Sequence, residues 1–372
     1  MKFDRIRDVL DDALKNHSTP CSDVIISLDN KIVYRYMNGT KDDNGLIPIS
    51  GDELYFLYSA SKPITCVAAL QLYEQRKLGL DDYLYQYIPE YEHIKVKTEN
   101  GELPVKNHIR LRHLFTMTSG MDYDLKHISI KNQLEKNRNS TTLDIVRAMA
   151  EKPLEFEPGE HYMYGLSHDV LAAVVEVVSG MSFGEYLQKN IFDVCGMKNT
   201  YVGFTQNLKE KLCSQYRYDE ALKTSILINK ENEFILSPIY QSGGAGIVSC
   251  TEDYIRFAQE LVNGEKLLKR ETINLMRQGH LAGETCHDFH ELKPDYSYGL
   301  GVRTNVDGRF SAIGEFGWDG AAGAYGLFDP DHHLAIFYVT HVRDYGDYLC
   351  NELHPRIRDI VYEDINENSF VA

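Results

Sequence analysis

The sequence predicts a mixed α/β protein of the α+β kind: an antiparallel sheet flanked by helices, with an all-helical lobe inserted into it. Three observations predict this. Two strand-like runs stand near the N-terminus, the middle of the chain carries one helical pattern after another, and strand-like runs return from residue 298 before a closing helix. A lone hairpin is barely stable in water, so the first strand pair is expected to join the C-terminal strands in one sheet. The implied division is a discontinuous sheet domain, 1–61 with 236–372, and a mainly helical domain, 62–235. A cleft between two such lobes is the usual place for a ligand site.

The elements follow in order. "MKFDRIRDVLDDALKNH" is an amphipathic helix with Phe3, Ile6, Val9, Leu10 and Leu14 on one side. "DVIISLDNKIVYRYMNG" (23–39) gives two strands around Asp29-Asn30, a hairpin signal. From residue 61 to about 78, Ile64, Val67, Ala68, Leu72 and Tyr73 recur at helical spacing. "HIRLRHLFTMTSGM" (108–121) reads as a short extended start and a helix closed by Gly120. Helices are expected over 141–152, stopped by Pro153, and over 167–180, ended by Gly180. Another spans 182–196, with Ser182 as N-cap and Glu185 at capping-box distance. "SGGAGIVSCTEDYIRFAQELVNG" is a glycine-rich turn, a short strand and a helix capped by Thr251. "GHLAGETCHDFHELKPD" reads as a polar loop. The runs "YGLGVRT", "FSAIGEFGWDG", "AGAYGLFDP" and "LAIFYVTHV" are strand-like, with a turn at Asp329-Pro330-Asp331-His332, and "NELHPRIRDIVYEDI" is the closing helix.

Composition narrows the function. The chain has 372 residues, 43% hydrophobic and 25% charged, as in an ordinary globular protein with a sizeable core. A formal net charge of −16 argues against a nucleic-acid partner, which needs a basic face, and against an anionic membrane surface. No window approaches the ~18 consecutive apolar residues of a membrane span. The N-terminus lacks the apolar stretch and small-residue cleavage site of a secretory signal. Seven scattered cysteines (21, 66, 195, 213, 250, 286 and 350) read as free thiols in a reducing compartment, so a cytoplasmic location is expected. His280, Cys286, His287 and His290 cluster within eleven residues, but their spacing fits no standard zinc pattern, and no metal is assigned.

Chemistry centres on Ser59-Ala60-Ser61-Lys62, where a lysine stands at the start of an otherwise apolar helix. The i, i+3 spacing puts Ser59 and Lys62 on one face. A buried ammonium is costly without a partner, and a lysine kept neutral by desolvation can take the serine's proton. S-x-x-K alone recurs by chance, so its context decides. Tyr164 lies just before a helix, in a loop from which its hydroxyl could reach a cleft and act as a general base. Trp318-Asp319-Gly320-Ala321 lies on a strand-like run whose small residues let a substrate approach the backbone. A backbone N–H there, paired with that of Ser59, would form an oxyanion hole.

The chain resembles the serine β-lactamase-like family of class C β-lactamases, D-alanyl-D-alanine peptidases and esterases of β-lactamase fold. The resemblance rests on "SASKPITCVAALQLYEQRKLGLDD", "IRLRHLFTMTSGM", "PLEFEPGEHYMYGLSHDVLAAVVEVVSG", "SFGEYLQKNIFDVCGMKNT", "SGGAGIVSCTEDYIRFAQELVNG" and "FGWDGAAGAYGLFDP", in family order over nearly the whole chain. It implies a β-lactamase/transpeptidase-like fold and no cofactor. It also implies Ser59 as acylated nucleophile, Lys62 as its proton partner and Tyr164 as the tyrosine of the Y-x-N motif. Trp318-Asp319-Gly320 falls at the K-T-G strand, and Ala321 where the family supplies the second oxyanion N–H, beside that of Ser59.

Two departures shape the expected substrate. The Y-x-N asparagine is Leu166, and the lysine and threonine of K-T-G are Trp318 and Asp319. In the family's lactamases and peptidases those polar groups hold the substrate's amide and carboxylate, whereas its esterase branch carries similar replacements. The expectation is therefore a serine hydrolase with an acyl-serine intermediate, a carboxylesterase on small uncharged esters. The alternatives are a β-lactamase or D-alanyl-D-alanine-type peptidase, an acyltransferase, and a non-catalytic ligand-binding relative. Leu166, Trp318, Asp319 and Gly320 are the expected substrate-binding residues, and the partner is a small-molecule ester or amide.

Overall fold

The computed structural model of the chain describes residues 3–309 and 311–369. Its centre is a seven-stranded sheet. From edge to edge the strands are Tyr296–Tyr298, Arg303–Asn305, Phe316–Gly317, Tyr325–Asp329, Leu334–Val339, Cys21–Leu28 and Lys31–Gly39. Every pairing is antiparallel. The N-terminal hairpin joins the C-terminal strands through Cys21–Leu28, which pairs with Leu334–Val339 in the register Ile25↔Phe337. Its turn residues, Asp29 and Asn30, have φ of 50° and 60°, the left-handed pair of a tight two-residue hairpin turn.

Side chains alternate across the sheet with period two. Val24, Ile26, Leu334, Ile336 and Tyr338 face one core, with Phe3, Ile6, Val9 and Leu10 of the N-terminal segment and Ile357 and Val361 of the helix His354–Ser369. Cys21, Ile25, Ala335, Phe337 and Val339 face the other core, with Tyr254, Phe257 and Leu261 of the helix Thr251–Val262. The N-terminal helix, Asp4–Asn16, buries Ala13, while Leu14, expected on the apolar face, is exposed. Cys250, not Thr251, stands at the N-cap of the following helix, and no side chain caps it.

The second core continues into the helical layer. Lys62–Glu74 is buried from Lys62 to Leu72, as befits a helix apolar all round, and packs against Ser167–Ser179. Thr142–Met149 is N-capped by Thr141, and Ser167–Ser179 ends at Gly180 in the left-handed conformation. The capping box of Ser182 and Glu185 is present, but the segment after it is broken by a π-helical turn at Gln188–Phe192.

Several local expectations are corrected. The helix read over 108–121 shrinks to Leu111–Phe115, because Met117 and Gly120 take positive φ of 56° and 84°. The insertion is not purely helical: Lys95–Thr98 and Gly101–Pro104 form a hairpin. Tyr201–Val202 pairs with Ile247–Ser249, and Gln215–Asp219 pairs with Val342–Arg343 and Thr224–Ile228. The supposed loop around 284–292 is the helix Glu284–Leu292, anchored by buried Phe289 against Tyr162 and Tyr298. Among the described residues, no single helix is long and apolar enough to cross a membrane.

Candidate active site

Ser59 sits in a 3₁₀ turn, Tyr58–Ser61, that runs directly into the helix Lys62–Glu74. Tyr58, just before it, has φ of 47°, a strained value for a residue with a side chain. The strain is held by burial: Tyr58 is fully enclosed, its hydroxyl donates to Gln215, and Arg343 lies over its ring. This turn leaves Ser59 partly exposed while Lys62 is completely buried. Neighbouring Ser61 points inward, its Oγ accepting the Ile247 N–H at 3.2 Å.

Lys62 has three partners. Its Nζ lies 3.0 Å from Ser59 Oγ, 2.8 Å from Tyr123 Oη and 2.8 Å from the Gly244 carbonyl. It also stands 4.6 Å from the centre of the Tyr164 ring. Burial lowers its pKa to about 7, with the Asp169 carboxylate pulling the other way. A neutral amine in this place can keep its bonds to Tyr123 and Gly244 and direct its lone pair at Ser59.

Two tyrosines close the group. Tyr164 Oη accepts the Trp318 indole N–H at 2.8 Å. Burial pushes its phenol up, and hydrogen bonds with Ser59, Trp318 and Tyr123 pull it back. Burial likewise holds the Tyr123 phenol well above its ordinary value. Gly165 is the local device that brings the two together. A side chain there would meet the Met121 carbonyl at 2.0 Å, so only glycine lets the segments bearing Tyr123 and Tyr164 lie side by side. The Leu166 N–H donates to the Asp122 carbonyl at 3.1 Å, and the Leu166 side chain is buried.

The Trp318–Ala321 segment comes up beside the serine. A Cβ on Gly320 would lie 2.3 Å from the carbonyl of Leu57, two residues before Ser59. Ala321 is exposed next to that contact. Trp318 is buried, tilted against Tyr164 with ring centres 5.5 Å apart. Asp319 turns toward other partners: it accepts from buried Arg303 at 2.8 Å and from Lys293 at 3.1 Å. Burial pushes its carboxyl up, but these two cations outweigh burial and hold it well below the usual carboxylate range. Its charge is thus already matched inside the protein.

The structure therefore gathers Ser59, Lys62, Tyr164 and Trp318, sets Gly320 against the turn that carries Ser59, and pairs Asp319 with Arg303 and Lys293. Sequence reasoning missed Tyr123 and Asp169. Tyr123 is one of 25 tyrosines and lies in an irregular segment. Asp169 carried a readable signal, an aspartate in the first turn of an otherwise apolar helix. In the histidine-rich segment, His280 Nε2 lies 2.8 Å from the Leu275 carbonyl, and Cys286 faces His290 one turn away. Among the described residues, two groups bring possible metal ligands together, His161 with Glu284 and Asp288, and Asp319 with Cys350 and His354. Asp319 belongs to the segment beside Ser59, and its carboxylate already pairs with Arg303 and Lys293.

Comparison with known proteins bears on this geometry. Residues 6–352 match the family described as Beta-lactamase. Esterase EstB of Burkholderia gladioli is 25% identical over 386 aligned positions, covering 96% of this chain and 94% of EstB. The lovastatin esterase of Penicillium rubens is 31% identical over 246 residues, 63% of this chain and 62% of that enzyme. Among solved structures, "EstCE1, a hydrolase with promiscuous acyltransferase activity" superposes with a TM-score of 0.81 at 26% identity, covering 96% of this chain and 98% of its own. The antiparallel sheet, the helical layer and the family match agree, and the chain belongs to the β-lactamase family as a serine hydrolase of β-lactamase fold.

Proposed function

We propose that this hydrolase is a carboxylesterase for small uncharged esters, with Ser59 as the acylated residue. The observation that carries the reading is Lys62: completely buried, 3.0 Å from Ser59 Oγ, and brought by burial to a pKa of about 7. A lysine in that state accepts the serine proton as Oγ attacks the ester carbonyl. The backbone N–H groups of Ser59 and Ala321 receive the developing oxyanion. Tyr164, held by the Trp318 indole and bonded with Ser59, passes the proton to the departing alcohol. The same groups activate water to release the acid from Ser59.

The substrate side supports esters over β-lactams and peptides. Leu166 offers no hydrogen bond to a side-chain amide, and Trp318 commits its N–H to Tyr164. Each polar substrate group left unpaired costs roughly 1–3 kcal/mol. Two such losses amount to ~10²–10⁴-fold in rate. Leu166 and Trp318 are apolar where the family's lactamases and peptidases carry polar groups, which suits a short acyl group or an aromatic alcohol. Asp319, matched by Arg303 and Lys293, acts by holding the segment that follows the strand Phe316–Gly317. A second reading, acyl transfer to an alcohol in place of water, is favoured by the activity named for EstCE1.

The test compares kcat/KM for p-nitrophenyl acetate or butyrate, nitrocefin and a D-alanyl-D-alanine peptide on one preparation, with Ser59→Ala as blank. The short ester is expected to lead clearly. If nitrocefin or the peptide leads, the esterase reading is wrong.

A further inference from the structure

Behind Lys62 lies a buried carboxylate that the steps above do not use. Asp169 is 1% exposed and stands in the first turn of the helix Ser167–Ser179. Its Oδ1 accepts from the Tyr240 hydroxyl at 2.8 Å and from the Ser242 hydroxyl at 2.6 Å. Its Oδ2 is buried, receives no side-chain donor and lies beside the Gly244 backbone. Burial pushes this carboxyl up, while the Ser242 and Tyr240 hydroxyls, Lys62 and the Gly244 backbone pull it back.

Across that glycine lies Lys62. Ser242 Oγ accepts the Ala245 N–H at 3.0 Å, and the Ser242 carbonyl accepts the Gly246 N–H at 3.0 Å. Asp169 thus grips the start of a tight turn, and Thr65 Oγ1 holds its middle by donating to the Gly243 carbonyl at 2.6 Å. The next carbonyl, that of Gly244, receives the Lys62 ammonium at 2.8 Å. A Cβ on Gly244 would fall 2.6 Å from Asp169 Oδ2 and 3.5 Å from Lys62 Nζ. Carboxylate and amine therefore face one another across the bare glycine, no more than about 6 Å apart.

We propose that Asp169 is a positioning residue for Lys62: its carboxylate fixes the 242–246 turn whose Gly244 carbonyl seats the amine, and its Oδ2, facing the amine across Gly244, supplies the counter-charge against which Lys62 carries its proton. This rests on the reading of Lys62 as the proton partner of Ser59. The other ionisable groups around the amine are Tyr123, Tyr164, His168 and Cys66. Burial holds the two phenols and the Cys66 thiol up, in their neutral forms, and brings His168 down to about 3, also neutral. Asp169 is thus the one carboxylate in this set, and it sets how readily Lys62 gives up its proton.

The experiment is the pH profile of p-nitrophenyl butyrate hydrolysis by Asp169→Asn, which keeps the shape and removes the charge. Unit charges about 6 Å apart in a protein interior shift each other's titration by about one to two pH units. The acid limb, near pH 7 in the wild type, is expected to move down by that amount. At pH 6 the rate as a fraction of each enzyme's own plateau then rises about five- to tenfold. A merely structural loss lowers the plateau and leaves the limb in place, and that result overturns the proposal. Ser242→Ala, which removes one donor to the carboxylate and disfavours its charged form, is expected to move the limb the same way by less. It decides the matter if Asp169→Asn is recovered unfolded, and an unmoved limb there counts against the proposal. Ser59→Ala and Lys62→Arg run alongside. Near wild-type rates in either sink the reading of the site itself. An unmoved limb with both of them inactive sinks the role of Asp169 alone.

Discussion

Replacing Lys62 by methionine should inactivate the enzyme and make it more stable at neutral pH. The magnitude follows from the burial of the side chain. A lysine that titrates at 10.5 when unfolded and at about 7 when folded disfavours the folded state by about 4 kcal/mol at pH 7. Methionine fills much the same space without a charge. Part of the gain is returned, because the Gly244 carbonyl loses its amine donor, at roughly 1–3 kcal/mol for a buried group left unpaired; the attraction of Asp169 is already contained in the folded value of about 7. The net expectation at pH 7 is a gain of about 1–3 kcal/mol. Its pH dependence is the sharper sign. Between pH 7 and 10.5 the unfolded chain binds more protons at Lys62 than the folded one does, so this group makes wild-type stability climb with pH. The variant lacks that climb, and its advantage should shrink by about 2 kcal/mol between pH 7 and pH 9. Urea unfolding of both proteins at the two pH values measures it. An advantage that does not change with pH, or a variant less stable than wild type at pH 7, would refute a lysine held near neutrality by burial.

Other expectations concern the groups around the serine. Tyr164→Phe should lose ~10²–10⁴-fold in kcat, the usual range for a general acid or base. Tyr123→Phe removes only one of three partners of Lys62 and should lose about tenfold. Steady-state kinetics on p-nitrophenyl butyrate separates the two, and an unchanged rate in Tyr164→Phe would remove it from the mechanism. Gly320→Ala would set a Cβ 2.3 Å from the Leu57 carbonyl, pushing the Trp318–Ala321 segment away from Ser59. It should lower kcat at least tenfold with the far-ultraviolet circular dichroism unchanged, and full activity would show that this close approach does not matter.

Much of this was legible in the chain because its signals are local. The Asp29-Asn30 turn needs two left-handed residues, and asparagine and aspartate tolerate that conformation best after glycine. Ser59 and Lys62 declare themselves because lysine is out of place in a buried helix. Other features depend on contacts distant in sequence. Glu284–Leu292 reads as loop because Phe289 is its one buried apolar side chain, and the partners of that side chain, Tyr162 and Tyr298, lie elsewhere. The two-residue strands are too short to show an alternating pattern. The direction of Asp319 is set by Arg303 and Lys293, 16 and 26 residues before it. Tyr123 reaches Lys62 only because Gly165 lets its segment lie beside that of Tyr164, an approach between strands of chain that no spacing reveals.

The central claim is that an acyl group passes through Ser59. The direct measurement is peptide mass mapping after p-nitrophenyl butyrate is mixed with the enzyme and quenched in acid within the first turnover. The prediction is a butyryl adduct on the peptide carrying Ser59, absent from Ser59→Ala, whose hydrolysis should fall ~10³-fold or more. A butyryl group on another residue, or hydrolysis by Ser59→Ala within tenfold of wild type, would contradict it.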